Sequence, residues 1–277
     1  MGKKERIIVF GTGLFLLLIF TFTDLQISLA IAKKPSFARV LEVIGEIPFT
    51  VLTLAGCGMI IRFRSKDSMV KKLSGLIGGL ILFILFSLMG GFMTWNYLSR
   101  NLGEVSKIWI PIIGLLMAGA AGFITMKVPQ EERNRALRFA ATALIYFILV
   151  IIIMNSLKTM WGRMRFREMT DPVNEFTRWY QICGRGKFND IYASFPSGHS
   201  MNSAGVILSL LLPDMIPALK EKRNLLHIGT YIWCLFVGAS RVCMGAHFAS
   251  DVTVGILLSF ILFDITSLLV YKRRKKA

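Results

Sequence analysis

Three short stretches of this sequence hold side chains that could do acid–base chemistry on an anion. The first is Lys158-Thr-Met-Trp-Gly-Arg-Met-Arg165. Seven residues make two helical turns, so Lys158 and Arg165 point the same way if a helix continues through both. Arginine offers a planar fork to phosphoryl oxygens and lysine a point charge. The second stretch, Pro196-Ser197-Gly198-His199, stands where a polar loop meets the apolar run Met201 to Leu212. Ser and Gly at that junction make a helix start, where backbone N–H groups suit an anion and His199 can exchange a proton with it. The third stretch runs from Ser240-Arg241 through His247 to Asp251. A four-residue spacing puts His247 and Asp251 on one helix face, so the carboxylate can fix the imidazole tautomer.

Together these residues describe a cradle for a tetrahedral oxyanion. Lys158, Arg165, Arg241 and the amides near Ser197 and Gly198 would neutralise charge that develops during transfer. One imidazole can attack phosphorus while the other protonates the leaving oxygen and then activates water. No metal or other cofactor is required. Asp171, Glu175, Asp190 and Asp251 do not form a magnesium-type cluster, and the two histidines lack metal-ligand spacing.

The elements that must position these groups are membrane helices. Of 277 residues 54% are hydrophobic and 18% charged, and the apolar residues fall in runs too long for a soluble core. A crossing needs about 20 apolar residues. This picks out eight segments: Ile7 to Thr23, Leu41 to Ile61, Leu73 to Leu98, Ile108 to Met126, Ala136 to Leu157, His199 to Ile216, Leu225 to Cys243 and Ser250 to Tyr271. The fold class is therefore all-α, a polytopic membrane helix bundle of about eight transmembrane helices. Asp24 to Val40, which mixes polar and apolar residues around Pro35, reads as an interfacial helix or turn.

A formal charge of +17 would suggest nucleic acid in a soluble protein. Here most Lys and Arg flank apolar segments, so they report topology, and the partners are membrane lipids with no nucleic acid. Placing the N-terminus in the cytoplasm puts Lys3 to Arg6, Arg62 to Lys72, Lys127 to Arg138, Lys220 to Arg223 and the tail Lys272 to Lys276 inside. Both termini are then cytoplasmic, and the three motif stretches share the extracytoplasmic face. The N-terminal run is a retained signal anchor. Cys57, Cys183, Cys234 and Cys243 show no metal spacing and imply no disulfide framework.

At the three stretches the sequence resembles the type 2 phosphatidic acid phosphatase superfamily of membrane lipid phosphatases, whose signature is Lys-x6-Arg-Pro, Pro-Ser-Gly-His and Ser-Arg-x5-His-x3-Asp. The second and third parts are complete, and the first has Phe166 in place of the final Pro. The resemblance covers about residues 136 to 271. It implies that His247 is the nucleophile, Asp251 its orienting partner and His199 the general acid and base, with Lys158, Arg165, Ser197, Gly198 and Arg241 holding phosphate. It divides the chain into residues 1–135, N-terminal membrane helices with an extra hairpin, and 136–277, the phosphatase core. It also implies a lipid phosphate or diphosphate substrate of the undecaprenyl diphosphate, phosphatidylglycerol phosphate or phosphatidate type, a phosphohistidine intermediate and a bacterial plasma membrane. A phosphotransferase using the same His pair, or a vanadate-dependent haloperoxidase-like oxidoreductase, would use a similar pocket.

Other residues read more plainly. Trp161, Phe166, Phe176, Trp179 and Tyr180 suit a membrane interface. The loop Arg167 to Ser194, with Gly184-Arg185-Gly186, is long enough for a lid or for a simple surface connection. Glu131-Glu132-Arg133 and Lys220 to Arg223 read as solvated connectors. Asp264 lies inside an apolar segment with no partner evident from the sequence.

Overall fold

The computed structural model describes residues 2–65, 67–184 and 189–271. Lys66, the Arg185-Gly186 pair of the long loop and the basic tail Lys272 to Lys276 lie outside the described residues. The described chain runs α1 (Lys3–Ile31), α2 (Ser36–Ile44), α3 (Ile47–Phe63), α4 (Met69–Leu102), α5 (Trp109–Met126), α6 (Arg133–Trp161), α7 (Pro172–Glu175), α8 (Gly198–Ser203), α9 (Arg223–Cys243) and α10 (Ala249–Tyr271). Among the described residues no strand occurs. Seven helices among the described residues are long and apolar enough to cross a membrane, α2 and α3 counting together as Ser36–Phe63. Large apolar side chains such as Phe15, Phe22, Leu115 and Leu116 are more than half exposed, as lipid-facing residues are. The chain is an integral, all-helical membrane protein.

The expected eighth crossing, His199 to Ile216, is wound differently. After α8 the chain continues as a 3-10 helix over Ala204–Asp214, with Pro213 near its end. At about 2.0 Å per residue, eleven such residues reach roughly 22 Å, where an α-helix of equal length reaches roughly 17 Å. The tighter winding lengthens a segment that is short for a crossing.

The interfacial break expected from Asp24 to Val40 is also shorter. α1 continues to Ile31 and α2 begins at Ser36, so only residues 32–35 interrupt the helix, with Pro35 as the N-cap of α2. The polar residues that broke the apolar pattern, Asp24 and Ser28, are buried at 1% and 0% exposure. Both face protein, and the polarity of Asp24 marks an internal contact.

Two compact units divide the described chain. The first comprises Met1–Gly45, Leu149–Ala204 and Ile232–Asp264. Within it, Lys34 N–H donates to Cys243 O at 2.9 Å, the Trp233 indole to Gly45 O at 3.2 Å and Ser259 Oγ to Met201 O at 2.9 Å. Asp264 finds its partner in Arg6 near the start of α1, with Nε and Oδ2 at 2.7 Å. An acid inside an apolar helix is thus matched by a cation rather than left to the bilayer.

The second unit comprises Glu46–Ile148, Gly205–Tyr231 and Ile265–Ala277. Here α4 and α5 approach through small residues. A Cβ on Gly91 would overlap the carbonyl oxygen of Ile110, and one on Gly114 would come 2.7 Å from Ser87 O. Such contacts replace the hydrophobic drive that lipid removes. Thr125 Oγ1 reaches from α5 to Ala55 O of α3 at 3.3 Å, and Arg62 donates to Thr125 O at 2.6 Å. Gly91→Ala is expected to cost about 1–3 kcal/mol through overpacking. Gly119→Ala, where no atom lies within 4 Å of the new methyl, should leave the unfolding midpoint in detergent unchanged or slightly raised. Equal midpoints for the two variants would contradict the packing described for α4 and α5.

Candidate active site

All three motif stretches fall in the first compact unit. The first does not form as a continuous helix. α6 stops at Trp161 because Gly162 turns into the left-handed region at φ +61, a common helix terminator. Lys158 therefore remains on the helix while Arg165 follows in extended backbone at φ −75. The two cations reach the site along separate paths. Lys158 Nζ lies beside the Pro-Ser-Gly-His turn, 3.1 Å from where a Cβ on Gly198 would be. Arg165, 6% exposed, is anchored by its own N–H on Ile191 O at 2.9 Å. Its side chain donates to Asp190 O at 2.8 Å and to Asp190 Oδ1 at 2.6 Å.

Ser197 opens α8 as its N-cap, its hydroxyl accepting from Ser200 N–H at 3.3 Å. Its own N–H donates to Asp251 O at 3.0 Å, which binds the second stretch directly to the third. His199, 5% exposed, has Nε2 3.4 Å from Leu41 O of α2. Arg241, in the last turn of α9, donates to Glu42 Oε1 at 2.8 Å, and both side chains are about 95% buried. Helix α2 thus contacts two of the motif residues.

His247 lies in the turn before α10, 2% exposed, with Nδ1 2.6 Å from Ser194 O. A carbonyl only accepts, so this bond fixes Nδ1 as the protonated nitrogen and leaves the lone pair on Nε2. Burial pushes the His247 pKa well below its usual 6.5, and Arg165, Arg241 and Lys158 push it further down. The Ser194 hydrogen bond opposes them. The balance keeps the imidazole neutral.

Asp251 does not bond to His247, contrary to the four-residue expectation. α10 begins at Ala249, so the imidazole sits ahead of the helix and off the face that Asp251 occupies. The carboxylate instead accepts from Ser194 Oγ at 2.6 Å, Phe248 N–H at 2.9 Å and Arg163 Nη1 at 2.6 Å. Asp251 holds Ser194, and the carbonyl of Ser194 holds His247.

Arg163 was unassigned in the sequence, although it stands between Lys158 and Arg165. It is fully buried and every guanidinium nitrogen is bonded. Nε donates to Thr177 O at 2.9 Å, Nη1 to Ser250 Oγ at 2.9 Å and to Asp251, and Nη2 to Asp24 Oδ2 at 3.1 Å. Its Cζ lies over the Phe248 ring, 4.1 Å from the centroid. Asp24 also accepts from the Ser250 N–H at 2.9 Å and from the Ser250 hydroxyl. Asp24 and Glu42 carry a signal that sequence reading could have used: acids within or beside apolar runs are costly unless paired.

The aromatic residues are tied in more firmly than interface anchors need be. Trp161 stacks on Phe195 at 4.7 Å and donates to Trp179 O at 2.6 Å, while the Trp179 indole donates to Thr21 Oγ1 at 3.0 Å. Phe166, at the position of the family's Pro, packs edge-on against Phe248 at 6.1 Å. The bonds from Arg167 N–H to Gly245 O and from Arg165 N–H to Ile191 O hold the backbone on either side.

Residues 139–275, which hold all three motif stretches, match the PAP2 superfamily. Over 72 residues the chain is 40% identical to the phosphatidylglycerophosphatase B of Bacillus subtilis (strain 168). The match covers 25% of this chain and 36% of that relative's length. No solved structure matches the chain. Asp24 and Glu42 lie outside the family match, yet both bond to residues inside it.

Removing one partner of a buried pair leaves a charge uncompensated. Asp24→Ala is expected to cost on the order of 3 kcal/mol of stability. Breaking the half-exposed Arg223–Asp214 pair through Arg223→Ala should cost below about 1 kcal/mol. Denaturant titration of both variants in the same detergent checks the order; the reverse order would remove Asp24 from its structural role.

Proposed function

We propose that this protein is a membrane lipid phosphatase that releases phosphate from a lipid phosphate or diphosphate through a phosphohistidine on His247. The observation that carries the reading is the Ser194 bond to His247 Nδ1. It leaves Nε2 as the nucleophilic atom under the influence of three cations. In the first step the Nε2 lone pair attacks phosphorus. The phosphorus–oxygen bond to the leaving group breaks, and protonated His199 gives that oxygen its proton. In the second step neutral His199 takes a proton from water, whose oxygen attacks phosphorus. The phosphorus–nitrogen bond then breaks and His247 returns to its starting state. Lys158, Arg165 and Arg241 hold the non-bridging oxygens as charge grows on them, with Ser197 and Gly198 shaping the turn beneath.

Substrate phosphate replaces internal carboxylates in this cradle. Asp190, whose side chain is 66% exposed, yields Arg165 readily to a phosphoryl group. Asp24 and Arg163 act as positioning residues through Asp251 and Ser194. The name of the Bacillus relative makes phosphatidylglycerol phosphate an early substrate to try, beside undecaprenyl diphosphate and phosphatidate. The preponderance of Lys and Arg in the connections assigned to the cytoplasm supports cytoplasmic termini and an extracytoplasmic site in a bacterial plasma membrane.

Purified protein offered a panel of these lipids is expected to release phosphate. His247→Ala should lose at least about a thousandfold in kcat while inserting normally. Wild-type rates from that variant would remove the nucleophile. Because the pKa of His247 is depressed, the imidazole protonates only as pH falls well below about 6.5. The acid limb that His247 contributes to kcat/KM should therefore lie below that value. Lys158→Gln, by removing a like charge, should move the limb upward. A limb at or above pH 6.5 in the wild type would contradict the electrostatics assigned to His247.

A further inference from the structure

The second compact unit contains a cavity that the phosphatase chemistry does not use, and every residue lining it belongs to that unit. Its volume is about 410 Å³. Two connectors that the sequence presents as solvated loops form its polar wall, with Glu132, Arg135, Arg138, Asp214, Lys220 and Arg223 around it. Four cations therefore face two acids.

Both acids are already engaged. Glu132 accepts from Arg135 Nη1 at 2.7 and 2.8 Å, and Asp214 Oδ1 accepts from Arg223 Nη2 at 2.6 Å. Arg138 and Lys220 supply the surplus positive charge. Arg138, one turn into α6, lies over the Tyr271 ring at 5.6 Å, which leaves the edge of its guanidinium for an acceptor. The lining also includes the apolar side chains of Leu211, Met215 and Ile216.

A lining that combines cations with apolar side chains matches a molecule that carries both a phosphate and hydrocarbon. The cavity also stands where membrane helices begin and end, at the start of α6 and the close of α10. Basic pockets between membrane helices suit anionic head groups. A small soluble phosphate would use the cations but gain nothing from Leu211, Met215 and Ile216. We propose that this cavity binds the phosphodiester head group of an anionic phospholipid, with Arg138 and Lys220 as the principal contacts. The site is independent of the phosphatase reaction, because a phosphodiester offers it no terminal phosphate.

The test titrates purified protein in neutral detergent with phosphatidylglycerol, with phosphatidylcholine and with glycerol 1-phosphate, following the unfolding midpoint. Phosphatidylglycerol should raise the midpoint saturably, and the other two should not at equal concentration. Lys220→Gln, at an exposed side chain whose loss does not threaten folding, should weaken the apparent affinity about fivefold. Adding Arg138→Gln should bring the loss to on the order of 30-fold. Unchanged phosphatidylglycerol affinity in Lys220→Gln and in the double variant would overturn the site. An equal midpoint rise with glycerol 1-phosphate would overturn its assignment to a lipid.

Discussion

A single buried guanidinium holds the candidate site together. Arg163 has no contact with solvent, and an unpaired charge there would be prohibitively costly. Its cost is offset by two carboxylates, a hydroxyl, a carbonyl and an aromatic face, drawn from α1 at Asp24, the loop at Thr177 and the start of α10 at Phe248, Ser250 and Asp251. Moving any one of them disturbs the rest. The chain of contacts then leads outward from Asp251 to Ser194 and from Ser194 to the imidazole of His247. The geometry of His247 is thus set through two intervening residues rather than by a carboxylate on its own ring.

This arrangement gives the N-terminal segment a definite purpose. Asp24 on α1 balances Arg163, and Glu42 on α2 balances Arg241. Both acids lie outside residues 139–275, where the superfamily match falls. In the cluster of cations that we propose receives phosphate, such carboxylates offset the repulsion between like charges. Glu42 and Asp190 differ in exposure: Glu42 is buried with Arg241, while the Asp190 carboxylate reaches solvent.

Much of the site was legible because three motif stretches in fixed order name their residues directly, and apolar runs of membrane length name the helices. What sequence could not provide was the path between them. A seven-residue spacing suggested one helix face for Lys158 and Arg165, but Gly162 ends the helix in between. A four-residue spacing suggested contact between His247 and Asp251, but the helix begins only after the imidazole. Spacing rules hold only inside an element, and both motifs straddle an element's end. The partners of Arg163 lie up to 139 residues away in the chain, a separation at which a single sequence leaves no periodic trace. Asp264 was visible as an anomaly, and its explanation waited for Arg6 at the other end of the chain.

The central claim is that the nitrogen left unprotonated by Ser194 becomes covalently phosphorylated. Its most direct measurement mixes the purified protein with a lipid phosphate carrying labelled phosphorus, stops the reaction within milliseconds in alkali, and maps the labelled peptide. Label on the peptide containing His247, bonded at Nε2 and lost on acid treatment, is the predicted result. Label confined to another residue, or phosphate release at full rate with no labelled protein at any time, would contradict it.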